Sequence, residues 1–151
     1  MTELRFDVEL SWTGGGREGA GRIVGDDVAL DWSVPAAMGG RGSGTNPEEL
    51  LVCAVASCYS ATLLGVLRRS GLAADEVRVA ATGAVDGYPG HARFARLTVS
   101  PTIVGGDPER AAEYERGAET AHDRCFIGHT LAEHVDYRVG AVAVEPAGVP
   151  A

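Results

Sequence analysis

The sequence has no surplus of basic charge. Its 13 Lys and Arg against 21 Asp and Glu leave a formal net charge of −8, which argues against a nucleic-acid phosphate backbone as partner. A disulfide framework is also missing. There are three cysteines, Cys53, Cys58 and Cys125, and an odd count without a leader does not make paired staples. Such cysteines belong in a reducing compartment, as small buried side chains or as functional thiols. The first residues, Met-Thr-Glu-Leu-Arg-Phe-Asp, show neither a basic n-region nor an apolar h-region, so no secretory signal is expected and the cytoplasm is the expected location. No internal repeat, low-complexity segment or linker interrupts the chain. Its 151 residues fit one domain, 1–151, and 45% hydrophobic with 23% charged residues is a composition that can build a core.

One absence organises the rest. From Leu50 to Leu67 there is no charge. Those 18 residues reach the lower edge of what spans a bilayer. Ser57, Tyr59, Ser60 and Thr62 within the run, and the lack of a second such run, favour the central helix of a soluble core instead. The flanks mark a helix over Thr45–Gly71. Asn46 is a good N-cap, Pro47 fits the first helical position, and Glu48 and Glu49 complement the positive end of the helix dipole. Glu49 stands where a capping box needs it. Arg68 and Arg69 suit the negative end, and Gly71 suits the left-handed position past the C-cap. A helix apolar all round is expected to be buried all round.

The remaining pattern reads as strands around that helix. Leu4 to Trp12 alternates, with Leu4, Phe6, Val8 and Leu10 on one face, as a half-buried antiparallel strand does. A glycine-rich turn, 13–19, leads to a returning strand at Arg22–Val24. Val28 to Val34 alternates again. Pro35 to Gly44 reads as a flexible loop. Glu76–Val85 and Ala92–Val104 are strand candidates. Asp107 and Pro108 open an amphipathic second helix running to about Arg124. Thr130–Glu133 suggests a short helical turn, Val135–Val144 a closing strand, and Glu145–Ala151 a frayed tail. The order predicts an α+β fold, with a mostly antiparallel sheet wrapped around a long buried helix.

Chemistry centres on the thiols. Cys53 and Cys58 are five positions apart, about 140° around a helix, and cannot share a site. Cys58 has small neighbours, Ala56, Ser57 and Ala61. An isolated cysteine on an apolar helix is ordinarily an inert buried thiol. Cys125, directly after the second helix, alters that balance: if it meets Cys58, the two read as an attacking and a resolving thiol. A reactive Cys58 needs positive charge nearby. The helix interior offers none, and Arg17 and Arg41 in glycine-rich loops are the candidates. His122, Cys125, His129 and His134 have spacing reminiscent of a zinc site, but they fall on different elements and a metal is not expected. Gly14 to Gly19 fits Gly-x-Gly-x-x-Gly, but it precedes a strand rather than opening a helix, so it is not a dinucleotide fingerprint.

Gly-Thr-Asn-Pro-Glu-Glu-Leu-Leu at 44–51, followed by Ala-Ser-Cys-Tyr at 56–59, resembles the central helix of the Ohr/OsmC family (organic hydroperoxide resistance and osmotically inducible proteins). Gly15-Gly16-Arg17-Glu18-Gly19, the stretch Pro35 to Gly40, and Ala121-His122 before Cys125 resemble the Ohr branch. The sequence departs from that branch after Cys125, where Phe126-Ile127-Gly128 replaces the usual Pro-Tyr-Ser. It departs again at Cys53, commonly alanine. The resemblance implies an intertwined α+β homodimer and thiol-dependent reduction of organic hydroperoxides. It makes Cys58 the peroxidatic thiol, Cys125 the resolving thiol, Arg17 the activating arginine and Glu48 the carboxylate that orients it. No cofactor is implied; an external dithiol, usually on a lipoylated protein, restores the thiols. Glu48 and Cys58 are ten residues apart, roughly 15 Å along a helix, so active sites built from both chains of a dimer are expected. A redox sensor or small-molecule binding module on the same fold is the alternative.

Overall fold

Three antiparallel strands open the chain in the computed structural model, which describes residues 1–148. β1 (Val8–Thr13) pairs with β2 (Ala20–Gly25), and β2 with β3 (Ala29–Trp32), so that Leu10 faces Ile23 and Ile23 faces Leu30. The first strand begins four residues later than its alternation suggests, and it is not half-buried. Leu4, Phe6, Val8 and Leu10 are all exposed, Phe6 at 88%. Glycines make room for the indoles: a Cβ on Gly19 would overlap Trp12, and one on Gly21 would overlap Trp32. The two rings lie 4.7 Å apart.

The glycine-rich connection after β3 is tied down rather than loose. Ser33 Oγ donates to the Ser43 carbonyl at 2.7 Å and accepts from the Ser43 N–H at 2.9 Å. Ser33 and Thr45 also close the loop by backbone hydrogen bonds. Residues up to Leu50 form one compact unit, and those from Leu51 a second.

α1 (Pro47–Arg69) begins and ends as its flanks specify. Asn46 Oδ1 accepts the Glu49 N–H at 2.8 Å. Glu49 does not return to the cap; Thr45 Oγ1 donates to its carboxylate at 3.4 Å instead. At the far end Leu72 N–H reaches Leu67 O and Gly71 N–H reaches Arg68 O. Gly71 has φ +67°, so the helix ends in a Schellman arrangement that few side chains other than glycine's hydrogen tolerate. The hydroxyls in the uncharged run bond back to the helix itself: Ser57 to Cys53 O, Ser60 to Ala56 O, Thr62 to Cys58 O. These hydroxyls therefore sit on an apolar helix with their hydrogen bonds satisfied by its own backbone.

The helix is not buried all round. Val55, Tyr59, Leu63, Val66 and Leu67 form the buried stripe, while Cys53, Ala54, Ser57 and Ala61 are exposed. It is long and apolar enough to cross a membrane by length and composition, yet its stripe is core. In the second unit that core adds Leu72, Leu97, Val99, Ile103, Tyr114, Ala118, Ala121, Cys125 and Tyr137.

β4 (Glu76–Asp86) and β5 (Arg93–Val104) form a long antiparallel hairpin. Asp107 caps the next turn by accepting the Glu109 N–H, and α2 (Ala111–Arg124) follows. The short helix predicted at Thr130–Glu133 lies earlier, as α3 (Phe126–Leu131). The single closing strand divides into β6 (Asp136–Val139) and β7 (Ala143–Glu145), both parallel to β5. Gly140 marks the break, packed so closely on Ser100 that a Cβ would not fit. Glu145 thus ends a strand rather than beginning a tail, and residues 149–151 lie outside the described residues.

Candidate functional site

Cys58 and Cys125 come together in the second unit. Cys58 sits mid-way along α1, half-buried. Cys125 ends α2 and precedes α3, with φ −69° and ψ 103°, and is fully buried. Its N–H is held by Ala121 O at 2.9 Å, and its carbonyl by the His129 N–H at 2.8 Å. The junction thus fixes the backbone while aiming the side chain at α1. Cys58 packs against the core cluster that contains Cys125, and the two thiols act on each other electrostatically. Burial pushes the Cys125 thiol up, and Cys58 adds to that; the Gly128 N–H and the Tyr137 hydroxyl pull it down. Cys53 is exposed.

Two tyrosines flank Cys125. Tyr59 donates to the Ala118 carbonyl at 3.1 Å. Tyr137 stacks on His122 with ring centroids 4.2 Å apart, and His122 Nε2 lies 2.9 Å from the Tyr137 carbonyl oxygen. Burial raises the titration of both phenols far above neutrality, and Cys125 reinforces it. The sequence pattern places Tyr137 only within a closing strand, and Tyr59 only within the uncharged run and the Ala-Ser-Cys-Tyr motif. The signal available was their alignment with core positions: Tyr59 shares the stripe of Val55 and Leu63, and Tyr137 alternates with Val135 and Val139.

An open apolar groove runs past Cys58. Ala54, Ser57, Ala61 and Thr62 of α1 line one side, and Phe126 and Ile127 the other. Phe126 is 69% exposed. The groove offers contact to a hydrocarbon group and little to an ionic one.

The other predicted site residues belong to the first unit. Arg17 lies in the turn between β1 and β2, with its guanidinium beside Gly39. Arg41 lines a groove with Arg22 and Asp31, themselves ion-paired at 2.7 Å. Glu48 stands in the first turn of α1, where its Oε2 is buried without a hydrogen-bond partner. The rise of the helix separates it from its own chain's Cys58 by roughly 15 Å. The four residues with zinc-like spacing do not form a ligand set: among the described residues no three His, Cys, Asp or Glu side chains converge.

Comparison with known proteins agrees with this architecture. Residues 40–139 match the family model described as OsmC-like protein, a span that contains Glu48, Cys58, Cys125 and Tyr137. The chain is 38% identical over 126 residues to an organic hydroperoxide resistance protein of Xanthomonas axonopodis pv. citri, covering 81% of this chain and 84% of that protein. It is 27% identical over 144 residues to the uncharacterized protein YmaD of Bacillus subtilis, covering 93% and 95%. In structure it resembles an organic hydroperoxide resistance protein OsmC of Legionella pneumophila, with TM-score 0.76 at 22% identity, covering 95% of this chain and all of the other. That last likeness bears on the fold alone: mixed α+β, with α1 as its core helix. Family model, relatives and fold agree, and the chain belongs to the OsmC/Ohr family.

Proposed function

We propose that the protein is a thiol-dependent peroxidase that reduces organic hydroperoxides to alcohols. The observation that carries this reading is the meeting of Cys58 and Cys125 beside an apolar groove. The Cys58 thiolate attacks the terminal peroxide oxygen. An S–O bond forms, the O–O bond breaks, and the alkoxide leaves to be protonated as the alcohol. Cys58 is then a sulfenic acid. Cys125 attacks its sulfur, the disulfide forms, and the hydroxyl departs as water. An external dithiol, in our reading a lipoyl group on a protein partner, returns both cysteines to thiols by exchange. No bound cofactor is required. The groove beside Cys58 suits alkyl or aryl hydroperoxides, and a reducing cytoplasm suits thiols that must be regenerated.

Arg17 is proposed to stabilise the Cys58 thiolate and the departing alkoxide, with Glu48 orienting it. The buried, unpartnered Glu48 Oε2 supports a cation there, since an unpaired carboxylate oxygen away from water is costly. Because Glu48 and Cys58 of one helix are too far apart to share a site, the carboxylate comes from Glu48 of the partner subunit. A two-fold dimer would also cover the exposed apolar residues of β1 and of α1. Size-exclusion chromatography with light scattering is expected to give twice the 15.6 kDa chain mass. A fully active monomer would remove the two-chain site.

The direct test is peptide mapping after one equivalent of cumene hydroperoxide. A Cys58–Cys125 disulfide is expected. A linkage through Cys53, or no linkage, refutes the reading.

A further inference from the structure

The two tyrosines beside Cys125 differ in one respect. The Tyr59 hydroxyl is committed to the Ala118 carbonyl. The Tyr137 hydroxyl is buried and makes no well-formed hydrogen bond. A buried donor left in that state costs free energy and asks for a reason. It cannot readily turn away. β6 sets Tyr137 opposite Leu97 of β5, His122 of α2 stacks on its ring, and Gly128 of α3 is packed so tightly against ring carbons that a Cβ would overlap them. Three elements hold the phenol in the core cluster that also contains Cys125, with its ring against Gly128, three residues beyond that thiol.

We propose that Tyr137 serves the resolving step: its hydroxyl donates a hydrogen bond to Cys125 Sγ as that thiol surrenders its proton and attacks the Cys58 sulfenic acid. The inference rests on the peroxidase reading given above. In the step, an electron pair on Cys125 sulfur forms the S–S bond, the Cys58 S–O bond breaks, and the departing hydroxide takes up the proton lost by Cys125, leaving water. Tyr137 keeps its own proton throughout. Burial holds its titration far above neutrality, so it acts as a donor and not as a base. Its effect on Cys125 opposes that of burial and of Cys58. The groups that face the thiol are Cys58 and Tyr59 from α1, the Gly128 N–H from α3 and Tyr137 from β6.

The test is Tyr137→Phe, which keeps every ring contact and deletes the hydroxyl. Its melting temperature is expected to stay with that of the wild type, because the hydroxyl has no other well-formed partner. With one equivalent of cumene hydroperoxide, peroxide loss should proceed at the wild-type rate. Disulfide formation should slow by about tenfold or more, the worth of one hydrogen bond to a charged group. More sulfenic acid should then be trapped by dimedone, and the rise of the disulfide rate with pH should move to higher pH. Unchanged disulfide kinetics and an unchanged pH profile overturn the inference while leaving the peroxidase intact. Equal slowing of both steps also overturns it, as general disruption. Failure of the wild type to form any Cys58–Cys125 disulfide sinks the peroxidase reading itself. A second measurement needs no peroxide. In a Cys53→Ser/Cys58→Ser chain, Cys125 is the sole thiol, and its ultraviolet titration should shift upward when Tyr137→Phe is added. No shift overturns the proposal.

Discussion

Cys58→Ser is expected to reduce hydroperoxide turnover to background, a fall of at least about a thousandfold. Serine fills nearly the same space, so the half-buried position on α1 and the packing beside Cys125 are retained. What disappears is the sulfur nucleophile itself. Cys125→Ser should behave differently. It should still consume one equivalent of peroxide at Cys58, then stall as a sulfenic acid unless an external thiol resolves it. Cys53→Ser should match the wild type, since Cys53 faces solvent on another side of the helix. The assay is peroxide loss with a lipoyl or dithiothreitol reductant. Sustained turnover by Cys58→Ser would falsify the proposed mechanism. A single stoichiometric oxidation of the wild type, without turnover, would instead favour a sensor.

The contrast between the two thiols follows from where each stands. Cys58 opens onto a groove, whereas Cys125 is enclosed by core residues and its ionisation is suppressed by that burial. An enclosed thiol is poorly placed to meet a hydroperoxide and well placed to meet a neighbouring sulfur. The same enclosure makes the resolving step the one that needs help, which is why the unpaired Tyr137 hydroxyl matters.

Local signals placed the long helix well. Asn46 and Gly71 act through hydrogen bonds within a few residues, and Pro47 through its fixed φ, so their meaning is readable without the fold. α3 was read too late because Gly128 and the β-branched Ile127 are weak helix formers, and it is packing of Gly128 under Tyr137 that holds the segment. Val135–Val144 reads as one alternating strand; the close approach of Gly140 to Ser100, which divides it, depends on a strand remote in sequence. The site shows the same division. Cys58 and Cys125 were legible as residues, and the family resemblance paired them. Their shell was not legible, because the partners of Cys125 are core tyrosines whose alternation looks like ordinary packing. The uncharged run also said more than it should. It described what α1 can bury, not what one chain does bury, and it leaves Cys53, Ala54, Ser57 and Ala61 exposed.

Leu63→Ala should cost about 3 kcal/mol of unfolding free energy, within the roughly 2–5 kcal/mol seen when a buried leucine is cut back to alanine. Leu63 is fully buried on the stripe of α1 that joins the core of β5 and α2. The loss has two parts: apolar surface no longer removed from water, and a cavity that the neighbours only partly fill. Alanine is the better helix former, so helix propensity offsets little of this in either direction. A globular domain is stable by only about 5–15 kcal/mol, so the change is a large share of the total and should appear as a clear drop in the urea midpoint with an unchanged slope. Cys58 lies five residues earlier on the same helix, on a side open to the groove. Well below the new midpoint, the folded variant should therefore still form the Cys58–Cys125 disulfide. A shift of less than about 1 kcal/mol would mean that the α1 stripe is not the packed core it is drawn to be. Retained stability with loss of the disulfide would mean that Leu63 acts on the thiols rather than on the fold.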